Sequence, residues 1–125
     1  MREAFSVTFW GVRGSIAAPG PTTQRYGGNT PCVEITCGDR TLIIDAGTGL
    51  RPLGDKLAKA GGGLDLDVFF THTHMDHFVG LPFFAPAYDP SNTIRFWAGH
   101  LQPELSLKEA CNHMMSAPLF PVPPD

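Results

Sequence analysis

The chain has no dense run of lysine or arginine. Its 9 basic residues are outnumbered by 12 acidic ones, for a formal net charge of -3, so the electrostatic footprint of a nucleic-acid binder is missing and nucleic acid is disfavoured as a partner. No apolar run approaches the roughly 20 residues that a bilayer span requires, and no membrane partner is expected. Cysteine is scarce: Cys32, Cys37 and Cys111 are too few and too irregularly spaced for a disulfide framework or a thiolate zinc site. The opening "MREAFSVTFWG" lacks an apolar core ahead of a small-residue cleavage site, so no secretory leader is expected, and a reducing, cytoplasmic setting fits best. What remains is 125 residues with 42% hydrophobic and 17% charged composition, enough for one modest domain with a core.

Glycine and proline divide the chain. Phe5, Val7 and Phe9 alternate with Ser6, Thr8 and Trp10, which predicts a strand. The stretch Gly11 to Pro31 holds five glycines and three prolines; a loop this long is uncommon unless it is functional. "CVEIT" and "TLIID" predict a hairpin turned at Gly38, Asp39 and Arg40. Val33, Ile35 and Cys37 share one face of the first of these strands, so Cys37 is expected in the core. Leu50, Leu53, Leu57 and Ala60 recur at helical spacing, with Gly54 a weak point. "LDLDVFF" predicts an inner strand, "FVGLPFFAPAY" a proline-interrupted helix or apolar loop, "TIRFWA" another strand, and "PELSLKEACNHMM" a helix with proline near its start. Strands and helices in this order predict a layered α/β or α+β architecture.

The sharpest signal is "FFTHTHMDHFVG", Phe69 to Gly80, which gathers three of the five histidines. His72 and His74 are two residues apart, and in extended chain such residues point to the same side, so both imidazoles can meet one ion. Asp76 and His77 follow where the chain leaves the strand, and a turn or helix start swings them to a neighbouring position. Imidazole nitrogen and carboxylate oxygen suit zinc, and also iron or manganese. A Ser/His or Cys/His nucleophile system is the alternative, but no serine or cysteine sits in a recognisable elbow.

"THTHMDH", Thr71 to His77, resembles the signature of the metallo-β-lactamase superfamily of binuclear metal hydrolases. "GVRGS", "YGGNTPCVEI" and "TLIIDAGTGL" are similar to pieces of its ribonuclease Z-like and phosphodiesterase-like branch. The resemblance implies an αββα sandwich of which residues 1–125 are one, partial domain, the N-terminal half. It implies His72 and His74 as ligands of one metal and Asp76 and His77 as ligands of the other, with Asp76 also orienting the attacking hydroxide and moving its proton. Asp45 would orient the histidine loop, although a plain turn-forming aspartate before Gly47 reads equally well. Arg13, Ser15 and Asn29 are candidates for substrate contact, with ordinary loop polarity as the alternative for each.

The implied function is hydrolysis by a metal-activated hydroxide, with zinc the expected metal and phosphodiesters the favoured class. The acidic balance points to a small-molecule ester rather than a nucleic acid. An acyl-ester, thioester or lactone hydrolase of the same fold, and a non-catalytic metal-binding half-domain, stay open. The family completes its sites with ligands downstream of the motif, and His100 and His113 sit in no matching motif. Self-association, or a missing C-terminal half, is therefore expected.

Overall fold

The computed structural model describes residues 4–124; Met1–Glu3, the first residues read for a leader, and Asp125, the terminal residue of the expected domain, lie outside them. Five strands form a single sheet in the order β1-β2-β3-β4-β5. They are β1 (Phe5–Gly11), β2 (Cys32–Cys37), β3 (Arg40–Ile44), β4 (Asp65–Phe69) and β5 (Thr93–Trp97). The first three are antiparallel neighbours, while β4 runs parallel to β3 and β5 parallel to β4. Parallel neighbours need a crossover. The β3–β4 crossover is made by helix α1 (Leu50–Ala58), and a short α2 (Met75–Phe78) and two 3-10 turns lie between β4 and β5. A last helix, α3, spans Leu107–Met114.

Opposed residues share a face of the sheet, and the register sorts the two faces. Glu34, Ile43, Val68 and Phe96 pair in series across β2 to β5, and this face meets the helices. Ile43, Leu50, Leu53, Leu66, Val68 and Phe84 are fully or almost fully buried there. Complete burial of such a side chain contributes about 1.5–3 kcal/mol each, and these residues form the hydrophobic core. Gly54 is no weak point in it: a Cβ would meet the Phe84 ring at 2.8 Å, and the missing side chain lets α1 seat on that ring. The other face carries the row Phe9, Val33, Ile44, Phe69 and Trp97 across all five strands, and Phe9, Phe69 and Trp97 are exposed.

This division corrects one expectation. Cys37 lies on the open face and is exposed, whereas Cys32, on the helix-covered face, is wholly buried. The alternation in β2 was read correctly, but the apolar face of that strand is not the one that α1 covers. The covered face holds Glu34 instead, buried at 3% exposure and matched by Trp10 Nε1 at 3.0 Å and Lys56 Nζ at 3.3 Å. A buried carboxylate persists only with such partners.

A second correction concerns α3. It starts at Leu107, not beside Pro103, because Ser106 and Glu109 form a reciprocal capping box: Glu109 N donates to Ser106 Oγ and Ser106 N to Glu109 Oε1, each at 3.1 Å. The pattern "SLKE" carries that signal, and it overrides the proline as the start mark.

Among the described residues no helix is long and apolar enough to cross a membrane.

Candidate metal centre

The parallel strands point their carboxyl ends the same way, and the chemistry-bearing residues sit where they end. Asp45 follows β3 directly, and Phe70 to His77 follow β4. Two backbone bonds extend the ladder into this edge, Asp45 N to Phe69 O at 2.8 Å and Phe70 N to Trp97 O at 2.9 Å. The loop after Asp45 then serves as a floor for α2. Ala46 N donates to His77 O and Gly80 N to Ala46 O, both at 2.8 Å. At Gly47 a Cβ would collide with the Asp76 carbonyl and with Thr30, so only glycine lets this floor approach the motif.

His72, Asp76 and His77 converge: one ligand atom from each lies within 4.8 Å of the others. The His72 and His77 rings stand 4.0 Å apart between centroids, and His77 Nε2 lies 3.5 Å from Asp76 Oδ2. His74 stands beside this group, its ring edge-on to His72 at 4.6 Å; the convergent trio itself does not include it.

Asp45 organises the trio from below. It holds a left-handed backbone, φ 66°, an uncommon conformation that aspartate tolerates better than most residues. Its carboxylate is 4% exposed as a residue and accepts from Thr71 N and Thr71 Oγ1, each at 2.8 Å. It also meets His77 Nδ1 at 2.9 Å. A carboxylate at Nδ1 keeps the proton there, which leaves the lone pair on Nε2, toward Asp76. Thr71 passes the effect on. Its hydroxyl hydrogen is committed to Asp45, so at His72 Nδ1, 3.0 Å away, it accepts and again leaves the lone pair on Nε2 free. One buried carboxylate thus sets the orientation of two imidazoles. The sequence reading had Asp45 but missed Thr71, although a hydroxyl next to the first histidine was a visible signal.

Asp76 is held from above. Ser15 N donates to its Oδ2 at 2.9 Å, and this bond, aided by the neighbouring His77 and His72, keeps the carboxyl below the ordinary aspartate range despite partial desolvation. Ser15 also has a left-handed φ of 74°. Its backbone, not its hydroxyl, makes the contact. Asn29 is turned inward, its Oδ1 accepting from Thr48 Oγ1 at 3.1 Å. Arg13 is exposed, with Nε donating to Ile16 O at 3.0 Å. His100 approaches Thr73 Oγ1 at 3.4 Å, and His113 lines a groove beyond Met75 and Phe83.

Two imidazoles with their lone pairs set by carboxylate and hydroxyl partners, plus an ionised carboxylate, form a donor set that fits a divalent ion of the zinc, iron or manganese type. Fold and site together are those of an α/β protein with a candidate metal centre. The chain belongs to the metallo-beta-lactamase superfamily, whose family model matches residues 25–94, and that family implies divalent metal binding. It is similar to ribonuclease Z of Archaeoglobus fulgidus, 36% identical over 62% of this chain and 22% of the relative. Ribonuclease Z of Haloarcula marismortui is 30% identical over 93% of this chain and 35% of the relative, and that of Bradyrhizobium diazoefficiens 31% identical over 62% and 23%. A crystal structure of a presumed metallo-beta-lactamase from Thermotoga maritima superposes with a TM-score of 0.42 and 26% identity, over 72% of this chain and 42% of that one. The chain spans about a third or less of the length of these curated relatives.

The relatives correct the partner expectation. A small-molecule ester with nucleic acid disfavoured conflicts with three relatives that are ribonucleases by name. The physical reason is that a whole-chain charge of -3 does not describe the surface beside the site. The Gly11–Pro31 loop that reaches Asp76 carries two arginines and no acidic residue.

Proposed function

We propose that this chain carries the metal-binding part of a metal-dependent hydrolase that cleaves phosphodiester bonds in RNA. The observation that carries the reading is the convergence of His72, Asp76 and His77 over the buried Asp45. In this reading His72, His74, Asp76 and His77 hold metal, zinc first and iron or manganese as alternatives. The ribonuclease relatives support the phosphodiester class. Residues 1–125 then form one partial domain, in keeping with the greater length of those relatives. Three free thiols suit a reducing, cytoplasmic setting.

A divalent ion bound here supplies Lewis acidity and brings the pKa of water toward neutrality. The chain's own residues do the rest. Asp45 and Thr71 fix which nitrogen of His77 and His72 faces the site. Asp76 stays ionised under the Ser15 amide and accepts a hydrogen bond from an attacking water, orienting it and helping its proton leave. Ser15 thereby acts through its backbone, Asn29 by bracing the early loop against Thr48, and Arg13 by meeting anionic substrate.

The test is elemental analysis of exhaustively dialysed protein beside the variant in which His72, His74, Asp76 and His77 are all alanine, followed by assays on bis(4-nitrophenyl) phosphate and on a thioester. About one or more divalent ions per chain, lost in the variant together with phosphodiester turnover, is the expected result. Thioester turnover with the phosphodiester untouched would overturn the substrate class, and equal metal in both proteins would overturn the ligands.

A further inference from the structure

We propose that the early loop carries a metal-independent nucleotide subsite, in which Arg13 and Arg25 hold a phosphate of single-stranded RNA and Tyr26 stacks a base. It rests on the reading of the substrate as RNA and extends it to residues outside the metal centre.

Four observations converge on this pocket. It is a cavity of about 420 Å³ between the Arg13 limb of the loop and the Thr22–Gly27 limb. The limbs are laced together by Arg13 N to Asn29 O at 3.0 Å and Ala18 N to Gly28 O at 2.9 Å, so the walls are fixed by backbone rather than by side-chain packing. No carboxylate lines it. Arg40, Lys56 and Arg95 are each paired with an acid, whereas among the described residues neither Arg13 nor Arg25 has an acidic partner. Two unneutralised guanidiniums lining one cavity are suited to a phosphate, whose oxygens match their fork of donors.

The aromatic part is equally specific. Tyr26 is 73% exposed, and the Arg25 guanidinium lies 5.3 Å from its ring centroid. An exposed ring beside arginine is the pairing on which unpaired bases stack, and it tolerates any base. A duplex would keep its bases stacked on each other, so the pocket favours a single strand.

The pocket is also coupled in position to the metal centre. Ser15 N is bonded to Asp76, and Arg13 stands two residues earlier, at most about 7 Å of backbone. A strand whose phosphate sits at Arg13 is thus within reach of the metal-binding trio, and the subsite would place a flanking nucleotide next to the one that lies over His72 and His77.

The experiment is fluorescence anisotropy of a labelled single-stranded oligoribonucleotide, titrated with this protein in EDTA at several salt concentrations. The Arg13→Ala/Arg25→Ala double variant, the Tyr26→Ala and Tyr26→Phe variants and an Arg51→Ala control are compared, with folding checked by thermal melting. The double variant is expected to bind at least about tenfold more weakly, and its slope of log K against log salt to fall by about 0.7, the value for one phosphate contact on a single strand. Tyr26→Ala should weaken binding by about five- to 150-fold, the equivalent of one base stack, with the slope unchanged, and Tyr26→Phe should restore it. Undetectable binding by the unmodified protein, or equal losses in the double variant and in Arg51→Ala, would overturn the subsite. Because EDTA strips metal, this readout is separate from phosphodiester turnover: RNA binding that depends on Arg13 and Arg25 without any turnover would sink the hydrolase reading and leave the subsite standing.

Discussion

Asp45 Oδ2 and His77 Nδ1 are joined at 2.9 Å, and through that bond a residue of the β3 edge decides which nitrogen of His77 faces the candidate metal centre. The Asp45→Asn variant tests it. Asparagine tolerates the left-handed backbone of this position and nearly matches the shape, but it lacks the charge that holds the Nδ1 proton. Metal affinity is expected to fall about 10- to 100-fold, measured by competition with a chelating indicator, and the melting temperature to fall as well, because the buried amide accepts less well than the carboxylate from Thr71 and His77. Unchanged affinity would reduce Asp45 to a turn residue.

Thr71 gives a sharper version of the same argument, since its hydroxyl lies between the Asp45 carboxylate and His72. Thr71→Val keeps the volume and removes the hydroxyl, leaving Asp45 one donor short. A hydrogen bond to a charged group contributes about 1.5–3 kcal/mol, so the urea midpoint should drop by that equivalent and metal affinity should fall with it. Thr71→Ser should restore both. Loss of stability without loss of affinity would show that the hydroxyl supports the loop but not the ligand.

Why the motif was legible and its supports were not follows from chemistry at two ranges. The i, i+2 spacing of His72 and His74 is local, as are the hairpin of β2 and β3 and the apolar periodicity of α1, and each can be read without knowing the fold. Thr71, by contrast, becomes informative only when β3 and β4 are known to be parallel neighbours, since it is the register that brings Asp45 beneath it. The position of Cys37 depended in the same way on which sheet face α1 covers, and alternation alone leaves that choice open. Arg25 and Tyr26 were passed over because a whole-chain charge averages away a loop that is basic on its own.

The Asp67–Arg95 pair on the open sheet face predicts an acid-dependent term in stability. Arg95 Nε lies 2.8 Å from Asp67 Oδ1 and Trp97 Nε1 3.1 Å from the same oxygen; the Arg95 contact first, then the Trp97 bond, lower the Asp67 pKa to about 2 from 3.8. The folded value lies below the unfolded one, so the contribution is complete above about pH 4 and is lost as pH falls through about 2. Asp67→Asn should therefore unfold at lower urea concentration than the unmodified protein at pH 7, and the gap should close toward pH 2. A gap that is constant with pH would mean that shape, not charge, matters at this position.

The three thiols should separate by reactivity. Cys32 is fully buried, and burial, with the Asp45 and Glu34 carboxylates adding to it, pushes its pKa up to about 12. Cys111 is half-buried, its thiol also raised by burial, whereas Cys37 is exposed on the open sheet face. The thiolate is the reacting species. A disulfide reagent at pH 8 should accordingly modify one thiol quickly, Cys37, a second slowly, Cys111, and Cys32 only on unfolding, with peptide mapping to assign each. The raised Cys32 value also has a direction in pH: its contribution to stability is complete below about pH 9 and declines as pH rises toward 12. Rapid modification of Cys32 in the folded protein would contradict the packing of β2 against α1, because that thiol is reached only when the covered face of the sheet opens.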